Sequence, residues 1–226
     1  MRAAEYTIAG RHVVCWSEQQ PVSIVVYANV FGERREELAS LVPLEQMTLV
    51  TIDSIDWNRD FSPWPAPRVF RSEDDFAGNG DDYLAVLTDK IIPTVESNIG
   101  VPSERIIAGY SLAGLFALYS LCGTKAFTRA VCASPSLWYD GFVDFMKKHN
   151  FLQQPKSIYF SLGDKEKKTR NQRMKIVEDA IRDAKNYIAS QGIATTFVLN
   201  EGNHFQHSME RLAKGIHWTL DDIQRR

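Results

Sequence analysis

Arg105-Ile106-Ile107-Ala108-Gly109-Tyr110-Ser111-Leu112-Ala113-Gly114 is the stretch on which the fold turns. Arg105 to Ala108 reads as a short apolar strand, and Leu115 to Leu121 reads as an apolar helix. Between them Ser111 sits on a tight strand-to-helix turn. Small neighbours let strand and helix approach closely, and the turn pushes the hydroxyl out at the C-terminal edge of a sheet. The Leu112 amide and the helix N-terminus then face any negative charge that develops there. This is a nucleophile-elbow arrangement. The usual spacing is G-x-S-x-G, whereas here Ala113 takes the last place and Gly114 follows it. A helix N-cap serine is the simpler alternative.

Working outward, further β-branched and apolar runs occur at Val22 to Tyr27, Met47 to Ile52, Ala130 to Ala133, Ser157 to Leu162 and Thr195 to Leu199. Their lack of polar alternation predicts strands buried on both faces, as in a parallel sheet covered by helices. Tyr6 to Ile8 and Arg11 to Cys15 flank Ala9-Gly10 and predict an N-terminal hairpin. Helical stripes lie between the strands. Leu84, Leu87, Ile91 and Val95 form one, in which Pro93 must kink or end the helix unless it opens a new turn. Met174, Val177, Ile181, Ala184 and Ile188 form a second, stopped by Gly192. Met209, Leu212, Ile216, Leu220 and Ile223 form a third. Asp53 to Asp82 fits no regular element: it carries Trp57, Phe61, Pro63, Trp64, Pro65 and Pro67, and so long an irregular connection is often functional. Alternating strands and helices predict an α/β architecture with a mainly parallel central sheet flanked by helices. The 226 residues suit a single domain, 1–226.

Composition excludes several function classes. Lys plus Arg number 26 against 28 Asp plus Glu, a net charge of −2, so no broad positive field exists to hold nucleic acid or an anionic membrane. No apolar run approaches the roughly 18 residues of a membrane span. Three cysteines cannot all pair with one another, and the first ten residues carry no signal-like apolar run, so a cytoplasmic, reducing location is expected.

A serine nucleophile needs a base. Of His12, His149, His204, His207 and His217, only His204 falls in a tight loop after the last strand, Asn200-Glu201-Gly202-Asn203-His204-Phe205. In a parallel sheet that loop opens on the same edge as the elbow. His207 is expected to start the next helix. A His204/His207 metal pair lacks a supporting carboxylate pattern, so no metal is expected. The imidazole in turn needs a carboxylate. Asp164 and Glu166 both lie past the strand ending near Gly163. Glu166 is preferred for its reach, with Asp164 expected to bond turn amides. The chain order serine, acid, histidine is that of one large hydrolase class.

With these residues in view the chain resembles the putative-esterase branch of the α/β-hydrolases, which includes esterase D-like, feruloyl and siderophore esterases. The resemblance runs over nearly the whole chain. It rests on the elbow, on Ser134-Pro135-Ser136-Leu137-Trp138 after a strand, on Leu162-Gly163-Asp164-Lys165-Glu166 and on Gly202-Asn203-His204-Phe205. It implies an α/β-hydrolase fold without a separate lid domain, and a serine esterase working on a small-molecule ester with no cofactor. Relatives often carry His-Gly after the third strand to build the oxyanion hole. Here the stretch is Ala28-Asn29-Val30-Phe31-Gly32, so the amides of Leu112 and Val30, or Asn29 in its place, are expected to serve. Trp138, Trp57 and Trp64 are expected near the substrate, with Phe61 beside them. A siderophore lactone esterase, an acyltransferase with the same triad and an inactive hydrolase-fold interaction protein are the competing readings.

Overall fold

The computed structural model describes residues 2–18, 23–70 and 73–225. The chain opens with β1 (Arg2–Ile8) and β2 (Arg11–Ser17), an antiparallel hairpin turning on Ala9 and Gly10, both at positive φ. Next come β3 (Ile24–Asn29), α1 (Arg35–Leu41), β4 (Thr48–Asp53), α2 (Trp57–Asp60) and the two-residue strands β5 (Pro65–Ala66) and β6 (Phe76–Ala77). After these follow α3 (Gly80–Val86), α4 (Ile92–Ile99), β7 (Glu104–Tyr110), α5 (Leu112–Gly123), β8 (Arg129–Ala133) and α6 (Phe142–Lys148). The chain ends with β9 (Ser157–Gly163), α7 (Gln172–Lys175), α8 (Val177–Ser190), β10 (Ala194–Asn200) and α9 (Ser208–Gln224).

Eight strands form one sheet in the order β1-β2-β4-β3-β7-β8-β9-β10. The first two pairings, β1 with β2 and β2 with β4, are antiparallel, and the rest are parallel. β7 lies inside the sheet, and its side chains alternate between two cores. Ile107 joins a cluster with α3 to α6 and α8, while Ile106, Ala108 and Tyr110 join one with α1 and α9. α5 is apolar and buried along Leu112 to Leu121 because it lies against β7 and β8 under α2 and α3. No helix among the described residues is long and apolar enough to cross a membrane. Cys15, Cys122 and Cys132 are free thiols.

Four sequence expectations change in detail. The helix through Leu84 and Val95 is continuous, but Leu87–Ile91, ending two residues before Pro93, widens into a π turn. Proline has no N–H for the i→i−4 bond, and the wider turn absorbs the fault. The stripe from Met174 to Ile188 is broken at Ile176, which leaves Met174 in the separate α7. Thr195 to Leu199 is not covered on both faces. It lies in the edge strand β10, where Leu199 is exposed and Arg182 lies over the Phe197 ring. Asp53 to Asp82 holds α2, the β5–β6 ladder and the start of α3. Val22, where the sequence begins the third strand, falls outside the described residues.

Candidate active site

The parallel strands β4, β3, β7, β8, β9 and β10 deliver six loops to one edge of the sheet. Ser111 follows β7 with φ 58° and ψ −122°, a conformation unusual for any residue but glycine. Strain there costs roughly 1–3 kcal/mol and persists only when surrounding bonds fix it. Three backbone bonds do so: Ser111 N–H donates to the Ala133 carbonyl (3.0 Å), while Leu115 and Ser136 N–H groups donate to the Ser111 carbonyl (3.0 and 3.1 Å). The Ser111 hydroxyl makes no N-cap bond to its helix, so it is left for another partner.

The unusual elbow spacing has a steric account. A Cβ at Gly109 would sit 2.2 Å from the Ala113 carbonyl oxygen and 2.8 Å from the Ala113 Cβ. The alanine methyl therefore occupies space that only a glycine at 109 leaves open. Gly114 makes the second close approach, with a Cβ there meeting backbone of Gly109, Ala133 and Pro135 at 3.0–3.2 Å.

Ser111, His204 and Glu166 come together. His204 Nε2 lies 2.9 Å from Ser111 Oγ, and His204 Nδ1 lies 2.7 Å from Glu166 Oε2. With Nδ1–H donating to the carboxylate, Nε2 is left to accept the serine proton. Glu166 is buried although Lys165, Lys167 and Lys168 around it are exposed. Its Oε1 accepts from Ser134 Oγ (2.7 Å), Gly163 N–H (2.7 Å) and Arg211 Nη1 (2.8 Å). Burial pushes this carboxyl up, but the bonds from His204, Ser134 and the Gly163 amide outweigh burial and hold it below the usual carboxylate range. Asp164 is exposed and turned elsewhere: its Oδ1 accepts the Gly202 N–H at 2.9 Å. That amide belongs to the histidine loop rather than to its own turn, so Asp164 ties the two loops together. His207 starts α9 as its N-cap residue at φ 57° and contacts Glu210. Both ring nitrogens of His204 are engaged, and no group of three or more metal-ligating side chains occurs among the described residues.

Two expected placements are corrected. The Val30 N–H donates to the Ile52 carbonyl at 3.0 Å, continuing the β3–β4 ladder, so it does not face the serine as a free donor. Asn29 ends β3, paired in the ladders with Ile52 and Gly109, and its Oδ1 accepts from Tyr83 Oη at 2.5 Å. The next amide, that of Phe31, makes no hydrogen bond within the described residues, and Phe31 and Leu112 both line the cleft beside Ser111. Trp64 lies outside that cleft. It packs on Tyr139, Phe142 and Phe145 and donates to the Asp140 carbonyl, anchoring its loop to α6.

The cleft itself has a volume of about 470 Å³. Trp57 and Trp138 line it. Phe31 stacks flat on Trp57 at 4.0 Å, and the fully buried Phe61 supports Trp57 edge-on from beneath. Val69, Phe70, Phe76, Met174 and Phe205 complete an apolar lining that sequence reasoning did not assign. Arg173 holds one wall, bonded to the Pro67 carbonyl and Asp140 and lying over the Trp138 ring.

Against a curated protein, the chain is 27% identical over 127 residues to the uncharacterized protein YbbA of Bacillus subtilis (strain 168), covering 54% of this chain and 51% of that protein. The match thus spans about half the length of that relative. Among solved structures, an IroE-like serine hydrolase from Shewanella oneidensis superposes with a TM-score of 0.80 at 16% identity, over 97% of this chain and 80% of that one. The siderophore hydrolase EstA from Aspergillus nidulans gives 0.73 at 18% identity, over 97% and 94%. These likenesses establish an α/β-hydrolase fold. The family model described as "Putative esterase" matches residues 32–211, most of the chain and all three of Ser111, Glu166 and His204, and the chain belongs to that family.

Proposed function

We propose that this protein is a serine carboxylic-ester hydrolase that acts through an acyl-enzyme on Ser111. The observation that carries the reading is the unbroken relay from Ser111 Oγ through His204 to Glu166, at 2.9 and 2.7 Å, beside an aromatic cleft. Ser111 Oγ attacks the ester carbonyl carbon as His204 Nε2 takes its proton. The carbonyl π electrons move onto oxygen, where the amides of Leu112 and Phe31 receive the charge. Collapse of this intermediate expels the alkoxide, which takes the proton from His204. Water then repeats the cycle, with His204 as base, and releases the acid. Glu166 remains ionised throughout and steadies the imidazolium.

The lining favours esters with an aromatic or extended apolar part, because flat rings stack on Trp57 or Phe31 and bury their area there. Siderophore lactones are a second candidate class, favoured by the fold shared with proteins named as siderophore hydrolases. An acyltransferase would use the same residues with another acceptor in place of water. A fluorophosphonate probe tests the core of the reading. Stoichiometric labelling on the peptide containing Ser111 is expected, and a folded protein that takes no label would rule out an activated serine. A panel of aryl esters, thioesters and trilactones then ranks the substrates.

A further inference from the structure

Arg211 is a buried group that bonds to three of these loops, and the mechanism above does not use it directly. It lies on α9, seven residues past His204, with its side chain 1% exposed. Nη1 donates to Glu166 Oε1 (2.8 Å) and lies 3.2 Å from Tyr110 Oη. Nη2 donates to the carbonyls of Glu201 and Asn203, both at 3.0 Å, on either side of Gly202. Tyr110 Oη donates in turn to the His204 carbonyl at 2.6 Å. One guanidinium thus joins the acid, the residue before the nucleophile and the backbone that carries the base.

Packing makes room for it. A Cβ at Gly163 would stand 2.7 Å from Nη2, and one at Gly202 would stand 3.2 Å away. Its Nε has no hydrogen-bond partner among the described residues. A buried ion pair with an unsatisfied N–H is a poor source of stability, since apolar replacements of such pairs are often neutral or stabilising. What the arginine supplies is geometry. Its planar fork reaches the carboxylate and two carbonyls at once, which a lysine ammonium or an apolar side chain cannot do.

We propose that Arg211 is the positioning residue of the relay. It fixes which Glu166 oxygen faces His204 and sets the histidine loop at hydrogen-bonding distance from both Glu166 and Ser111. This rests on the Ser111–His204–Glu166 reading above. The test is a double-mutant cycle on kcat and KM for an aryl ester, with folding checked by circular dichroism. Arg211→Met is expected to lower kcat about 10- to 100-fold, as loss of an orienting partner typically does, with KM within about threefold. In a Glu166→Gln background, where the carboxylate is gone and only the histidine loop remains to be held, the same change should cost several-fold less than it does in wild type. Arg211→Lys, which keeps the charge and loses the fork, should fall between wild type and Arg211→Met. It also carries the cycle if the methionine variant does not fold.

A near-normal kcat for folded Arg211→Met, or a penalty that multiplies undiminished onto Glu166→Gln, overturns the proposal. The underlying reading fails differently. A near-normal kcat in Glu166→Gln itself, with Ser111→Ala inactive, removes Glu166 from the relay and Arg211's role with it. A crippled Glu166→Gln beside an unaffected Arg211→Met removes only Arg211.

Discussion

Replacing Glu166 with glutamine changes one atom and should nearly abolish turnover, for a reason readable in the hydrogen bonds. Oε1 accepts from three groups, of which the Gly163 N–H and the Arg211 guanidinium can only donate. Turning a glutamine NH₂ toward them would set donors against donors at about 2.7–2.8 Å and forfeit two buried bonds, each costing roughly 1–3 kcal/mol. The amide oxygen therefore stays at Oε1, and the NH₂ takes the place of Oε2, 2.7 Å from His204 Nδ1. That nitrogen must now accept, so the ring proton moves to Nε2 and points at Ser111 Oγ. The base is blocked by its own tautomer. A triad acid exchanged for its amide lowers turnover by about four orders of magnitude, or ~5 kcal/mol at the transition state. Arg211 is also left buried without a counter-ion, a loss of up to about 3–5 kcal/mol, so circular dichroism and a thermal melt come first. Because Glu166 is held below the usual carboxylate range when folded, its stabilising contribution is present above the unfolded value and lost as pH falls through the folded one. The gap in Tm between wild type and Glu166→Gln should accordingly hold above about pH 5 and narrow only as pH falls below the ordinary glutamate value of about 4.3. Asp164→Asn keeps an oxygen for the Gly202 amide and should stay within about threefold of wild type. A folded Glu166→Gln with kcat within tenfold of wild type, or a collapse in Asp164→Asn alone, would refute this reasoning.

Ser111→Ala keeps the strained backbone and removes the attacking atom, so ester turnover should fall about a thousandfold or more without loss of the fold, as read by kcat and circular dichroism. Gly109→Ala drives a Cβ to 2.2 Å from the Ala113 carbonyl; a loss of about 1–3 kcal/mol in a denaturant melt is expected, with a fall in kcat because the elbow shifts. His12 is raised above its ordinary value chiefly by its hydrogen bond to Asp53, so its contribution is full below about pH 6.5 and fades as pH rises through the folded value. The Tm deficit of His12→Gln should thus be largest near pH 6 and shrink toward pH 9. Activity should survive dialysis against a strong chelator, because both ring nitrogens of His204 already have protein partners; loss that zinc restores would count for a metal site.

The sequence was most legible where chemistry and local structure coincide. Small residues on both sides of Ser111, between an apolar strand and an apolar helix, announce a tight turn whatever the rest of the chain does. Glycine and asparagine before His204, and glycine before Glu166, mark loops in the same way. What stayed hidden depends on groups distant in the chain. Nothing local to Val30 tells that its amide reaches Ile52. Trp57 and Trp64 look alike on the page, seven residues apart in one irregular segment. They part company because Phe31 stacks on the first and α6 covers the second. Arg211 sits among the polar positions of an amphipathic helix, where an arginine reads as solvent-facing; its burial follows from loops that arrive from β7, β9 and β10.

How residues so far apart in the chain meet at 2.9 Å follows from a repeated backbone device at the sheet edge. Just beyond β7, Ser111 N–H donates to Ala133 at the end of β8; just beyond β8, Ser134 N–H donates to Ser161 in β9 at 2.9 Å; just beyond β9, Asp164 N–H donates to Asn200 at the end of β10 at 2.8 Å. The ladder is thereby carried one residue past each strand, into segments that have already begun to turn. Two of those residues, Ser111 and Ser134, have positive φ, 58° and 42°. The cost of each, roughly 1–3 kcal/mol, is sustained by a bond that also fixes where the next loop starts. Ser134 uses its turned side chain to grip Glu166, and the Gly202 carbonyl accepts from Lys165 at 3.1 Å beside the Asp164 bond. Register therefore passes from Ser111 to Glu166 to His204 through consecutive strand ends. The side-chain relay completes a geometry that backbone bonds have largely set, so substitutions that disturb these loop-entry bonds should impair turnover even where no side chain of the relay changes.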